Sequence, residues 1–183
     1  MKTLHVTTRA AWRRWLQKHH ETEREVWLVS YRSGTGRVRL PYNDAVEEAL
    51  CFGWIDSNQK RIDDERTAQR FTPRRRPGGF SEMNKQRAKR LVAEGRMTKA
   101  GLAVLGDALE EQPLKLAPDV RRALRAEPGA WLYFEAFPEG YRRIRIAYIE
   151  GARGRPEEFR RRLDNFVKRT AKNKRIGYVP EFK

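Results

Sequence analysis

The sequence predicts a segregated α+β fold: an amino-terminal helix plus a small antiparallel sheet, followed by a carboxy-terminal helical module. Three observations carry this expectation. Strand-like runs, rich in β-branched and aromatic residues, occur only before Pro73. Helix caps and apolar stripes of helical period dominate everything after it. Between the two, Pro73-Arg74-Arg75-Arg76-Pro77-Gly78-Gly79 sets two prolines and two glycines within seven residues, which breaks both regular structures and defines a basic loop. The expected organisation is a core domain over residues 1–112 and a helical module with a basic tail over 113–183.

Thr8 caps a first helix, with Trp12, Trp15 and Leu16 at helical spacing, ending near His19 and His20. Val26-Trp27-Leu28-Val29-Ser30-Tyr31 reads as a strand leaving through Ser33-Gly34-Thr35-Gly36, and Val38 and Leu40 are expected to return briefly. Pro41-Tyr42-Asn43-Asp44 opens a short helix with Ala45, Val46, Ala49 and Leu50 on one face, closed by Gly53. The runs from Trp54 to Ile62 and from Thr67 to Thr72 flank the acidic turn Asp63-Asp64-Glu65 and predict a hairpin with one polar surface. Ser81 and Thr98 cap two helices, Pro113 and Pro118 bracket a linker, and helices follow over 119–126, 129–137, 141–149 and 156–169. The last eight or so residues are expected to fray.

Composition narrows the setting. A single cysteine, Cys51, excludes an internal disulfide framework and fits a reducing compartment. No run approaches the roughly 18 apolar residues of a membrane span, and the amino terminus lacks the apolar core of a signal peptide, so the expected location is cytoplasmic. The net charge of +16 favours acidic partners: a phosphate-bearing or other anionic small molecule, nucleic acid, or an anionic membrane face touched peripherally. The excess lies in two blocks, with 12 Lys/Arg against 5 Asp/Glu over residues 60–96 and 16 against 7 over 121–175. Arginine outnumbers lysine 29 to 11, which suits planar bidentate contacts and follows equally from a biased genome composition.

The stretch Glu48-Ala49-Leu50-Cys51-Phe52-Gly53-Trp54-Ile55-Asp56, with Arg70-Phe71-Thr72-Pro73-Arg74, Ser81, Asn84 and Arg87, resembles the YdeI/OmpD-associated family of bacteriocin-protection proteins. Leu91-Val92-Ala93-Glu94-Gly95-Arg96-Met97-Thr98-Lys99-Ala100-Gly101-Leu102 is similar to the same family, preserving a helix end, a turn and the next cap in order. The resemblance spans most of the chain, strongest over residues 24–105 and weaker over the helices from Asp119 to Arg169. It implies a small intracellular bacterial protein associated with tolerance of bacteriocins or antimicrobial peptides. It implies no catalytic residue.

No phosphate-binding GxxxxGK[ST] loop, no GxGxxG, no HExxH and no CxxC is present, and Gly79-Phe80-Ser81-Glu82-Met83 lacks the second glycine of a nucleophile elbow. His5, His19 and His20 do not have metal-ligand spacing, and Cys51 sits between Leu50 and Phe52 as a small hydrophobe, so neither a metal nor a cofactor is expected. Asp56, directly after a helix stop, is the carboxylate placed to face a pocket; a structural ion pair, a ligand contact and an enzyme role are all open for it. The expected ligand surface is the hairpin and basic loop: Trp54, Asp56, Ser57, Gln59, Arg61, Arg70, Arg74, Arg75 and Arg76. The alternative is a nucleic-acid surface using Arg74, Arg75, Arg76, Lys85, Arg87, Lys89, Arg90, Lys168 and Arg169.

Overall fold

In a computed structural model of the chain, residues 2–74, 79–110 and 112–177 are described. Along the chain run β1 (Thr3–His5), α1 (Arg9–His19), β2 (Val26–Tyr31), α2 (Tyr42–Cys51), β3 (Trp54–Arg61), β4 (Arg66–Pro73), α3 (Glu82–Ala93), α4 (Lys99–Leu105), a 3-10 turn (Gly106–Leu109), α5 (Pro118–Ala126), α6 (Ala130–Ala136), α7 (Glu139–Glu150) and α8 (Pro156–Thr170). The fold is α+β. Two compact units divide it: residues 1–80 with 87–110, and residues 81–86 with 111–183.

The first unit is a sheet of order β1-β2-β4-β3. β2 pairs antiparallel with β4, which pairs antiparallel with β3, as the hairpin pattern predicts. The turn is made by Asp63, whose carboxylate accepts the backbone amides of Glu65 and Arg66 and pre-forms the reversal. β1, parallel to β2, is not foreseen: three residues are too few to show a period, and its partner is distant in sequence. The expected return strand at Val38 and Leu40 is absent; residues 32–41 form an irregular loop in which Leu40 is buried and Val38 is exposed. Alternation along the strands buries one sheet face against α1 and α2. There Trp12, Leu16, Val26, Leu28, Leu50, Trp54 and Phe71 form the core, each large side chain contributing about 1.5–3 kcal/mol by leaving water. Trp12 stacks on Trp15, and its indole nitrogen donates to the Ala45 carbonyl at 2.9 Å.

Helix ends follow local chemistry. Thr8, Ser81 and Thr98 accept amide hydrogens three residues on, as read from the sequence. The α2 cap differs: Pro41 occupies the N-cap and has no side chain to offer, while Asp44 in the first turn pairs with Arg9. Gly53 ends α2 in the left-handed region, at φ 74°.

The second unit is helical, built from α5 to α8 around Val120, Leu124, Phe134, Phe137, Tyr141, Ile144, Ile149, Leu163 and Phe166. Its helices begin within two residues of the positions predicted from Pro118, Gly129, Tyr141 and Pro156. Among the described residues, no helix is long and apolar enough to cross a membrane.

Candidate functional site

The buried face of the sheet changes character along its length. Register puts Asp56, Phe71 and Val26 in one row, Gln59, Gln69 and Leu28 in the next, and Arg61, Thr67 and Ser30 in the third, all on the side that faces α1 and α2. In the first row Val26 and Phe71 are core. Toward the hairpin end the same face carries Ser30, Gln59, Thr67 and Gln69, and a cavity of 310 Å³ opens over them. Tyr42 and Ala45 at the start of α2 form one wall, and Arg32, Ser33, Arg39 and Leu40 of the loop after β2 form another. Uncharged donors and acceptors on the floor, two guanidinium groups on the loop and no carboxylate among the described lining residues suit a polar ligand of negative charge.

A bulge in β3 shapes this floor. Between Asp56 and Gln59 the register slips, and the Gln69 amide donates to the Ser57 carbonyl at 2.8 Å, pinning the bulged backbone. At the edge of the cavity the Tyr42 hydroxyl donates to Asp56 Oδ2 at 2.6 Å. Burial and the Asp56 carboxylate together push the Tyr42 phenol up to about 12, so it is a donor at neutral pH. Arg74, half-buried, lies over the Phe80 ring at 3.8 Å. Burial holds its pKa below the usual arginine value, against the opposing pull of Asp56, and its Nε is enclosed without a hydrogen-bond partner among the described residues. A buried cationic donor left open in this way is what an anionic group would satisfy.

Of the sequence-predicted surface, Gln59 lines the cavity, Asp56 meets its edge through Tyr42, and Arg74 lies beyond Asp56 at the end of the sheet away from the hairpin turn, where it feels the Asp56 charge. The structure takes others elsewhere. Trp54 is core, its indole nitrogen bonded to the His20 carbonyl at 3.2 Å. Ser57 acts through its backbone. Arg61 binds the Asp64 carboxylate and the Asp63 carbonyl within the turn. Arg70 points to the opposite sheet face, where it pairs with Glu25 at 2.6 Å beside Trp27. Arg75 and Arg76 lie outside the described residues.

Of the alternative surface, Arg87 is buried and donates to Asn43 at 2.6 Å. Arg90 pairs with Glu47 and Glu94, Lys85 and Lys89 are partly exposed, and Lys168 and Arg169 are exposed in the last turn of α8. The three histidine rings pack on different aromatics, His5 on Tyr31, His19 on Trp15 and His20 on Phe52. Cys51 is fully buried, and desolvation pushes its thiol up.

Sequence reading misses the carboxylate that, among the described residues, pairs with the most arginines. Glu48, 1% exposed, accepts from Arg9 at 2.5 Å, from Arg13 at 2.7 Å and from Arg96. Neighbouring Glu47 accepts from Arg9 at 2.7 Å and from Arg90. Burial would raise the Glu48 pKa, but the Arg9 and Arg13 bonds outweigh it and hold the carboxyl below its ordinary range. The two motif stretches therefore meet in space. Thr98 donates from its amide and its hydroxyl to the Cys51 carbonyl, at 3.0 and 2.6 Å. Gly101 approaches that carbonyl so closely that a Cβ there would sit 2.2 Å from the oxygen. The available signal is the acidic pair Glu47-Glu48 inside an otherwise apolar helix face, in a chain rich in arginine.

Fold and site define a two-unit α+β protein with a polar, cation-rimmed cavity in its first unit. Residues 4–104 match the family described as a domain of unknown function, DUF8412, and residues 113–173 match the family described as Bacteriocin-protection, YdeI or OmpD-Associated. The chain belongs to the former family, whose match covers its sheet-bearing unit, and its helical unit is similar to the YdeI/OmpD-associated family. The motif stretches Glu48–Asp56 and Leu91–Leu102 fall within the first match, while the YdeI/OmpD-associated match falls where the motifs are thinner. No curated protein and no solved structure matches the chain.

Proposed function

We propose that the protein acts by noncovalent binding of a small anionic ligand in the cytoplasm, as part of tolerance to bacteriocins or antimicrobial peptides. The observation that carries this reading is the inner sheet face itself. Positions that would normally be apolar carry Ser30, Gln59, Thr67 and Gln69 around an open cavity. Arg39 at its rim has no ion pair among the described residues, and Arg74, on the far side of Asp56, has an enclosed Nε without a hydrogen-bond partner among them. The tolerance role rests on the family of the helical unit. The buried free thiol of Cys51 is compatible with a reducing compartment.

The test is titration of the whole chain with citrate and with inorganic phosphate, following the side-chain amide signals of Gln59 and Gln69 by NMR. Saturable shifts of those two amides, lost in Arg39→Ala and Arg74→Met, support the reading. Shifts confined to other cationic surfaces contradict it. In cells, survival under bacteriocin should fall when wild type is replaced by Gln69→Ala.

A nucleic-acid reading is favoured by one observation in the helical unit: Arg121, Arg122 and Arg125 line an open groove along α5. Duplex binding that falls steeply with salt and is lost in the triple Arg→Ala variant of these residues would support it; salt-insensitive or absent binding removes it.

A further inference from the structure

Within the helical unit, a cavity of 160 Å³ lies between α7, α8 and the segment after α8. Its lining combines the apolar side chains of Ile149, Phe166 and Ile176 with the polar ones of Arg145, Arg162 and Asn165. The segment after α8 is tied down over it. The Ile176 amide donates to the Tyr141 hydroxyl oxygen at 2.7 Å, and Gly177, at φ 69°, passes so close that a Cβ would meet the Arg145 guanidinium at 3.0 Å.

The cations here are not equivalent. Arg162 is satisfied, bonding Glu158 at 2.7 Å and the Tyr148 carbonyl at 2.6 Å while stacking on the Tyr148 ring. Arg161, on the cavity rim, also bonds Glu158. Arg145 contacts the Tyr141 ring at 5.4 Å but has neither a carboxylate nor a carbonyl partner among the described residues, and its Nε is enclosed. Desolvation holds its pKa below the usual arginine value. Folding gains nothing obvious from enclosing a cation without an acceptor; a charge left so costs stability unless a counter-anion completes it. Three arginines line the cavity with no carboxylate among its described lining residues; two of them share Glu158, which lies outside the lining.

We propose that this cavity is a second binding site, for a small organic carboxylate whose apolar body rests on Ile149, Phe166 and Ile176 while its carboxylate pairs with Arg145. The apolar part of the lining distinguishes this ligand from inorganic phosphate, whose hydration shell it would strip without return. The site is independent of the cavity in the sheet-bearing unit.

Benzoate is the probe, with benzyl alcohol as its neutral counterpart and inorganic phosphate as the anion without an apolar body, each titrated into the full chain and followed by NMR. Benzoate should shift the Asn165 and Phe166 signals saturably, and leave the Gln59 and Gln69 side-chain amides unmoved. Benzyl alcohol and phosphate should bind at least about tenfold more weakly, the scale of one lost charge-assisted contact. Arg145→Met should weaken benzoate by a similar factor without lowering the melting temperature, because it removes an unpaired enclosed cation. Arg14→Met, an exposed arginine of α1 that lines neither cavity, should bind as wild type does. The proposal is overturned by absence of saturable benzoate binding, by equal binding in Arg145→Met, by phosphate binding as tightly as benzoate, or by a melting temperature that falls in Arg145→Met.

Discussion

Two groups of partly buried arginines occur in this molecule under opposite conditions. Arg9 reaches three carboxylates, Asp44, Glu47 and Glu48, and Arg13 and Arg96 converge on Glu48 from other directions. Arg74 and Arg145 are also partly buried, yet each has an Nε without an acceptor among the described residues. Burial alone therefore does not say what an arginine does. Where carboxylates are provided, the guanidinium fastens elements that are distant in sequence; where none is, an enclosed donor is left over, and that leftover donor is what the proposed ligand sites rest on.

The sharpest way to break this contrast is at the shared carboxylate. Glu48→Gln should remove the charge that three arginines approach and destabilise the fold by about 3 kcal/mol, measured by urea unfolding. The same residue sets a pH dependence. Because its folded-state pKa lies below the ordinary value of 4.5, its stabilisation is present above that pH and is lost as pH falls through the lower folded pKa. The acid limb of stability against pH should accordingly be shallower in Glu48→Gln than in wild type.

Next in size is Gly101→Ala. A Cβ at 2.2 Å from the Cys51 carbonyl oxygen cannot be accommodated without α4 moving away from α2, and the expected loss is about 2 kcal/mol in the same assay. An unchanged midpoint would mean that the two helices slide apart freely, contrary to the Thr98 bonds that hold them.

These contacts mark the limit of what the sequence makes legible. The Thr8, Ser81 and Thr98 caps, the Asp63 turn and the carboxy-terminal helices are readable because each is decided within a few residues of itself. The Glu48 cluster joins residues 35 to 48 positions apart, and no local pattern announces it. The candidate site divides in the same way. Asp56 and Gln59 are identifiable as polar residues on a hairpin that faces a core. Their meeting with Tyr42 and the loop after β2 depends on the register slip between Asp56 and Gln59, which alternation does not foretell. Arg70, read as part of the same surface, turns to the other face because its partner on β2 is Trp27 and a carboxylate, Glu25, waits there.

A smaller effect sharpens the site itself. The Tyr42 phenol should titrate near pH 12 in an ultraviolet difference spectrum between wild type and Tyr42→Phe, and Asp56→Asn should bring it down, since the carboxylate is one of the two causes of its rise. A Tyr42 titration unaffected by Asp56→Asn would mean that burial alone accounts for it. Smallest of all should be Arg61→Ala, whose partners Asp63 and Asp64 are in an exposed turn; its midpoint should stay within about 0.5 kcal/mol of wild type.

The contrast between satisfied and unsatisfied arginines is tested most directly by urea unfolding of Arg9→Met beside Arg74→Met. Arg9→Met should lose about 2 kcal/mol, because it leaves Glu47 and Glu48 short of a partner, whereas Arg74→Met should unfold at the wild-type midpoint or above it. An equal loss in both variants would show that Arg74 is as structural as Arg9 and would contradict the assignment of its guanidinium to a ligand.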